Sequence, residues 1–511
     1  MKICMASQMR SFDKAAHEKY GIPSILLMEN AASALAFECE KETGKNENIL
    51  IVCGTGNNGG DGFAAARLLS AKGFLVSIFI SGSKEKLSGD ALVNFKAAGA
   101  FNIPIVSDFL LLPGLLNEAS VIIDALIGTG FKGELKKNIS EIVDLLNKSG
   151  KKIISADIPT GVDSDTGWVS EKTVKAYKTV TFGLMKTGLL LYPAAEYCGE
   201  IVVAPISIPK EVFENSDIDI FAITPELAKN MLPKRKPRSH KGDYGKIFIA
   251  AGSKNMTGAA ALSALSAYKS GGGVVYACVV ESIIKVIQNL VPEAVIIPLP
   301  EENGALCKGS LDTLILESEN GGVIISGPGI GRSKGAKEFI TKLVEKSKKP
   351  LIIDADGIMA LSGQPELLKK AKSSIVITPH MKEMSALTGI GVDELTRNPL
   401  KAARETAEKY NVTVLLKDAR TIIASPDKKT FINLTGNPAM AKGGSGDVLT
   451  GVIAAFIGAG LSPFDSTCLG AYIHGLAGDI AAEKIGGYGV LARDIARHIP
   501  EEIDQILKTA K

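Results

Sequence analysis

The chain has 511 residues, long for one hydrophobic core, so two or three domains are expected. Apolar residues make up 46% and charged residues 22%, ordinary for a soluble globular protein, and 58 Lys plus Arg against 55 Asp plus Glu leave a net charge of +3. That balance gives no footprint for a nucleic-acid or membrane partner, and seven scattered cysteines without Cys-x-x-Cys spacing suggest neither a disulfide framework nor a zinc site. The N-terminal stretch lacks a charged-then-apolar signal pattern and the apolar runs fall short of a membrane span, so a soluble, cytoplasmic protein is expected.

Short apolar, β-branched runs alternate with helix-period segments, which predicts parallel sheets wound with helices. The first run, "NILIVC", leads into "CGTGNNGGDGFAAAR" at residues 53 to 67, with G-x-G-x-x-G at Gly54, Gly56 and Gly59. In a redox dinucleotide fold an acidic residue at the end of the next strand holds the ribose hydroxyls. Here that strand ends "SIFISGSKEK", with Ser81 and Gly82 at the position, and the redox reading weakens. Asn57, Asn58 and Asp61 instead offer side-chain oxygens to a cation or to ligand hydroxyls.

Two further strands end in an acid followed by a glycine-containing loop, "VIIDALIGTGFKGE" with Asp124 and "IISADIPTGVDSDTG" with Asp157. Each acid alone could cap the segment that follows it. Because ligands in open parallel sheets bind beyond the carboxyl ends of strands, the three loops are expected to converge on one crevice. The series fades after "EIVVAPISIP" near residue 209. We place a first domain at 1–215, a Pro- and Lys/Arg-rich linker at 216–240 whose "PKRKPR" reads as a solvated segment, and a second domain at 241–511.

The second series begins with "GKIFIAAGS" and runs through "GGVVYACVV", "GGVIISGPG", "PLIIDADG", "SIVITPH" and "VTVLLKDA". Near its end, "GGSGD" precedes a long apolar helix, so the N–H groups of Gly444 to Asp447 can form an anion pocket at a helix N-terminus. Asp447 is placed to take a proton from a substrate hydroxyl while those donors stabilise a transferring phosphoryl group. No G-x-x-x-x-G-K-[ST] occurs, which excludes P-loop chemistry.

"MENAA", "GTGNNGGDGFAAAR", "IIDALIGTGFKGE" and "SADIPTGVDSDTG" resemble the epimerase domain of the bifunctional NAD(P)H-hydrate repair enzymes, which interconverts the R and S hydrates of damaged NADH or NADPH. The resemblance implies that Asn57, Asn58, Gly59, Gly60 and Asp61 bind the hydrated dinucleotide together with the loop Gly128, Thr129, Gly130, Phe131, Lys132, Gly133 and Glu134. It further implies a potassium ion on Asn58, Asp124 and Thr160, with Asp157 at the reacting end. A carboxylate suits epimerisation at a hydroxyl-bearing carbon, and Asp157 is the expected acid/base.

"HKGDYGKIFIAAGS", "SKNMTGAA", "SGPGIGRS", "DADG", "TPH" and "GGSGD" are similar to the ribokinase-like dehydratase domain of the same family, which uses ADP or ATP to dehydrate the S hydrate. That similarity implies two doubly wound α/β domains, the first Rossmann-like and the second ribokinase-like. It assigns Gly258, Gly329, His380 and Asp447 to the hydrate, and Lys417, Asp418, Ala419, Arg420, Thr421 and Gly446 to the nucleotide, with Mg2+ accompanying ADP. One departure is Lys417-Asp418 where the family has Lys-Gly. The resemblance implies a homo-oligomer that repairs NAD(P)H hydrates at the expense of ADP. Two alternatives remain at this stage. One is a kinase of a small hydroxylated vitamin precursor fused to a dinucleotide-binding domain; the other makes the first domain a binding or assembly module.

Overall fold

A computed structural model describes residues 1–508, and the chain divides into one unit spanning Lys2–Ile218 and a second from Asp219 onward. In the first, seven strands form a parallel sheet: β1 (Asn48–Cys53), β2 (Leu75–Ile80), β3 (Ile105–Val106), β4 (Ala119–Ala125), β5 (Lys152–Ala156), β6 (Lys178–Phe182) and β7 (Glu200–Ala204). Their spatial order is 3-2-1-4-5-6-7, the doubly wound order in which the winding reverses between β1 and β4. The strands read as unbroken apolar runs because helices cover both faces; in "NILIVC" every residue after Asn48 is buried. Leu50, Val52, Phe79, Ile122, Ile142 and Leu146 belong to one such buried layer.

Three helices position the first unit's crevice. Helix α1 (Ala6–Tyr20) buries Ala6, Met9, Phe12 and Ala16 and stops at Gly21, whose φ of +66° suits the left-handed cap. Helix α2 (Ser24–Glu40) packs beside α3 (Asn57–Ala71), which starts at Asn57 with Gly56 as its N-cap. The segment Asn57–Asp61, legible in sequence as part of a glycine-rich turn, is therefore the first turn of a helix pointing its N–H groups at the reversal between β1 and β4.

In the second unit the strands are β8 (Ile220–Ala222), β9 (Lys246–Ala250), β10 (Val274–Val280), β11 (Val295–Leu299), β12 (Val323–Ser326), β13 (Leu351–Ile353), β14 (Ile375–Ile377), β15 (Thr413–Leu416), β16 (Ile422–Ala424) and β17 (Thr430–Ile432). The order is 11-10-9-12-13-14-15-16-17-8, parallel except where β16 runs against β15 and β17. The helices that matter for function are α4 (Thr257–Lys269), α5 (Met381–Thr388), α6 (Ser445–Gly458) and α7 (Pro463–Ile485). No helix among the described residues is long and apolar enough to cross a membrane.

The expected linker 216–240 needs correction. β8 pairs in parallel with β17, and a helix over Pro225–Met231 is capped by the Thr224 hydroxyl, which accepts from the Leu227 N–H at 3.3 Å. Three-residue strands and two-turn helices fall below what a composition scan resolves, and the flanking prolines mask them. "PKRKPR" itself is mostly exposed, with the Arg235 guanidinium over the Tyr244 ring at 4.1 Å and donating to the Gly271 carbonyl. The sequence reading also passed over β11, whose Pro298 is tolerated because the strand lies at the sheet edge.

Candidate active sites

A cleft of about 870 Å3 opens in the first unit beyond the carboxyl ends of its strands. Gly54 makes its floor possible: a Cβ there would lie 2.0 Å from the Leu126 carbonyl oxygen, and one at Gly59 would lie 2.0 Å from the Gly54 oxygen. Gly54→Ala is expected to cost at least about 3 kcal/mol, the upper range for overpacking, and to abolish the cleft's function. Thermal unfolding of the first unit, followed beside its activity, checks both.

Asn57, Asn58, Asp61, Gly128, Thr129, Gly130, Phe131, Lys132, Glu134 and Asp157 all line this cleft. Gly59 and Gly60 are buried beneath it, and Gly133 turns the loop at φ +77° without lining it. Lys132 is committed to Asp163 at 2.8 Å and Asp165 at 3.1 Å, while Glu134 accepts from the Ser170 hydroxyl at 2.6 Å and the Glu171 N–H at 3.0 Å. These two side chains thus also tie the 128–134 loop to the 163–171 loop. Asn58 Nδ2 and Ser81 Oγ are buried without a hydrogen-bond partner among the described residues. Both line the cleft, and such orphaned polar atoms are what a bound polar ligand satisfies.

Asp124 lies under the cleft, fully buried. Its Oδ1 accepts from Thr160 Oγ1 at 2.7 Å and the Leu126 N–H at 3.3 Å; its Oδ2 accepts from Ser155 Oγ and the Thr160 N–H, each at 2.9 Å. Burial raises the carboxyl above its usual pKa, and these four bonds pull it back without cancelling the shift. Thr160 Oγ1 also accepts from the Ile127 N–H at 3.1 Å, and the Asn58 amide packs over Gly128 so closely that a Cβ there would be 3.0 Å from Oδ1. Asn58, Asp124 and Thr160 therefore meet around the Leu126–Gly128 turn with an oxygen-rich donor set.

Asp157 has φ +63°, a left-handed conformation that Asp tolerates better than most residues. Its Oδ1 accepts from Lys186 Nζ at 2.6 Å, Thr181 Oγ1 at 3.1 Å and the Phe182 N–H at 3.2 Å. All three bonds end on Oδ1, so Oδ2 is the oxygen left for substrate. Lys186, buried in the apolar run "GLMKTGLL", also donates to Thr181 Oγ1 and the Phe182 carbonyl. A single Lys inside such a run was the available sequence signal for this residue.

In the second unit Asp447 occupies the third position of α6, whose N-cap is Gly444 at φ +94°, so Asp447 is not the cap. A Cβ at Gly446 would sit 3.4 Å from both Asp354 Oδ2 and Lys417 Nζ, which places the start of α6 directly against that ion pair. Lys417 Nζ donates to the buried Asp354 at 2.8 Å and lies 3.9 Å from Glu383. Burial would lower the Lys417 ammonium's pKa, but the Asp354 and Glu383 carboxylates outweigh it and hold the pKa above its usual value. Burial, reinforced by Asp354, pushes the Asp447 carboxyl up to about 7.

Gly329, at φ +61°, packs on the entry to α4: a Cβ there would lie 2.9 Å from Ala259 Cβ and 3.0 Å from the Met256 oxygen. This brings Gly258 and Gly329 together. His380 is half exposed and caps α5, its Nδ1 accepting from the Lys382 and Glu383 N–H groups at 3.1 and 3.2 Å, while Glu383 accepts from the His380 N–H. It stands beside Lys417, whose N–H donates to the Pro379 carbonyl. Asp418, Ala419, Arg420 and Thr421 form the connection from β15 to β16, with Asp418 Oδ1 accepting from the Ala419 N–H and Arg420 donating to the Leu434 carbonyl. Sequence reasoning passed over Glu383 and the buried His474, whose Nε2 is 3.3 Å from Ser445 Oγ at the start of α6. Burial drives the His474 pKa down to about 4, so this imidazole is neutral at physiological pH.

A family profile described as NAD(P)H-hydrate dehydratase matches residues 247–501, and one described as YjeF-related protein N-terminus matches residues 24–188. The bifunctional NAD(P)H-hydrate repair enzyme Nnr of Thermofilum pendens is 39% identical over 98% of this chain and 96% of its own. The chain belongs to the bifunctional NAD(P)H-hydrate repair enzyme family. The enzyme of the same name from Moorella thermoacetica is 36% identical over 99% of both chains. The crystal structure of an ADP/ATP-dependent NAD(P)H-hydrate dehydratase from Bacillus subtilis, co-crystallised with ATP and Mg2+, aligns with 57% of this chain and 99% of that one, at 29% identity and a TM-score of 0.49. In this family member the two sites described above fall one in each matched segment, except that α1 of the first cleft precedes residue 24 and its lining residue Ile206 follows residue 188.

Proposed function

We propose that the first cleft epimerises NAD(P)H hydrates and that the second site dehydrates the S hydrate at the expense of ADP, yielding NAD(P)H, AMP and phosphate. The observation that carries this reading is the carboxylate Asp447 raised toward neutrality at a helix N-terminus and packed against a lysine–aspartate pair. Hydroxide is a poor leaving group and phosphate a good one. Asp447 takes the proton of the ring hydroxyl, and the phosphoryl group passes from the nucleotide to that oxygen. Phosphate leaves as the ring nitrogen's lone pair forms a C=N bond, and the adjacent ring carbon then loses a proton to solvent so that the ring double bond re-forms and the pair returns to nitrogen. The first-turn N–H groups of α6, which lack intrahelical acceptors, receive the charge on the transferring group. Lys417, with its charge secured by Asp354, neutralises the nucleotide phosphates beside Gly446, and the 418–421 turn contacts the rest of the nucleotide. Mg2+ arriving with ADP would add to the screening of the phosphates. Gly258, Gly329 and His380 hold the hydrate on the other side.

In the first cleft Asn58, Ser81 and Asp61 meet the dinucleotide's polar groups, and Asp157 transfers protons at the hydroxyl-bearing carbon. Asp124 is a fully buried carboxylate whose partners are all neutral donors, a fit for a monovalent cation shared with Asn58 and Thr160. A potassium ion held by Asn58, Asp124 and Thr160 would supply the balancing charge at the turn that carries Gly128. Mixing the full-length enzyme with racemic NADH hydrates, ADP, Mg2+ and K+ is expected to restore dihydronicotinamide absorbance from both epimers. Recovery that stops at half removes the epimerase assignment. A stable phosphorylated product in place of released phosphate removes the dehydratase assignment and points to a kinase.

A further inference from the structure

The first cleft contains a carboxyl group that none of the matched motifs includes. Asp13 lies on α1, one turn beyond Met9, and both line the cleft together with Asp61, Asp157 and Lys186. Helix α1 is fixed over the reacting end from two sides. The Ala6 N–H donates to Asp165 Oδ1 at 2.6 Å, and Met9 packs on Gly183, where a Cβ would be 2.6 Å from Met9 Cε. Gly183 adjoins Phe182, whose N–H and carbonyl bond Asp157 and Lys186 respectively. Asp13 is thus delivered to the same corner as the Asp157–Lys186 pair from a different element.

Its Oδ1 is buried and has no hydrogen-bond partner among the described residues. A buried carboxyl oxygen left unsatisfied is costly, and in a ligand cleft it marks a group held for substrate. Burial pushes the Asp13 carboxyl up to about 6, Lys186 drawing it down and Asp157 pushing it up. The other ionisable groups at this corner are Asp61 at the start of α3, held well above its usual range by burial, and Cys4, whose thiol burial raises to about 12. Arg10 lines the cleft from α1 itself, and the lining residues of α2 are Ser24, Leu27, Met28 and Ala31, none of them ionisable. Asp157 is bound to an ammonium; Asp13 is not.

Inversion at a carbon that bears a hydroxyl asks for proton donation on one face and proton acceptance on the other. We propose that Asp13 is the second proton-transferring residue of the epimerase cleft, acting as acid while Asp157 acts as base, with the roles exchanged in the reverse direction. The Asp13 carboxylic acid gives its proton to the hydroxyl, and the C–O bond breaks with release of water as the ring nitrogen's lone pair forms a C=N bond. Water then adds to that carbon from the opposite face, the C=N pair returns to nitrogen, and the added water's proton goes to Asp157. Exchange with solvent through the open cleft returns that proton to Asp13. This inference rests on the reading of the cleft as the epimerase.

The test uses the full-length enzyme without nucleotide, following interconversion of purified R and S hydrates by chromatography. Asp13→Asn is expected to lower kcat by about 10²–10⁴ with KM unchanged, the range for loss of a positioned acid or base, and Asp13→Glu to recover part of the loss. An Asp13→Asn enzyme whose kcat stays within about threefold of the parent overturns the proposal, since that falls far below the range. So does a loss shared equally by the Asn and Glu variants and accompanied by a lower Tm, which marks a structural role. If the parent itself leaves the epimers unchanged while its nucleotide-dependent dehydration of the S hydrate proceeds, the epimerase reading fails and Asp13's role falls with it.

Discussion

Asp447→Asn is expected to reduce nucleotide-dependent dehydration by about 10²–10⁴ in kcat, because the amide cannot accept the substrate's hydroxyl proton. Epimerisation by the first unit should be untouched, which makes the same molecule its own control. Burial first, then the Asp354 charge, hold the Asp447 carboxyl up at about 7, Lys417 opposing them and Asp356 adding a further upward push. The base works ionised, so kcat/KM for the parent should rise about tenfold per pH unit below that value and level off above it. Stability runs the opposite way. A carboxyl that binds its proton more tightly folded than unfolded contributes fully below its unfolded value of 3.8, and that contribution is lost as pH rises through about 7. The Asn variant does not titrate, and its Tm should therefore equal or exceed the parent's at alkaline pH while its activity is gone. A dehydration rate within about threefold of the parent removes Asp447 from the chemistry, since loss of a general base costs far more.

Asp157→Asn should abolish epimerisation on a comparable scale, about 10²–10⁴, with dehydration of the S hydrate preserved. Here stability moves with activity. Asn fits the φ of +63° at least as well as Asp, so the backbone stays in place. The Lys186 ammonium, however, is 1% exposed and loses its only carboxylate among the described residues, retaining Thr181 Oγ1 and the Phe182 carbonyl. Stranding a buried charge costs about 3 kcal/mol at the low end of the measured range. The double variant Asp157→Asn with Lys186→Met removes both charges and should regain most of that loss while remaining inactive as an epimerase. Full epimerase activity in the single variant sinks the assignment; recovery of activity in the double variant would show that the ion pair serves packing alone.

The long parallel strands were legible because they are covered on both faces and so carry unbroken apolar runs, as in the five residues after Asn48 in "NILIVC" and the "VII" of "SVIIDA". β8, β16 and β17, three residues each, offer no such run; β16 is placed by pairing with its neighbours β15 and β17, and β8 by pairing with β17, far away in sequence. The chemistry-bearing motifs stood out where glycine density and an acid coincide at a strand end, as at Gly54–Asp61, Asp124, Asp157 and Gly444–Asp447. Asp13, Lys186, Glu383 and His474 carry no such signature. Asp13, Glu383 and His474 sit on helices whose sequences read as ordinary, and Lys186 is marked only by the apolar run around it.

By itself the sequence determined the two α/β domains, the absence of a redox ribose acid at Ser81, and the two glycine-rich turns that open onto ligands. These follow from local rules, namely which residues tolerate a tight backbone approach and which runs can be buried. Tertiary structure alone decided which acids belong together. It sank Asp124 beneath the cleft among four hydrogen bonds, set Asp157 on Lys186, swung α1 across to present Asp13, and pressed Gly446 against Asp354 and Lys417. The reason is physical: a carboxylate's role depends on burial and on the charges within a few ångströms, and residues separated by 63 positions, as Asp354 and Lys417 are, become neighbours only when the strands that carry them align in one sheet.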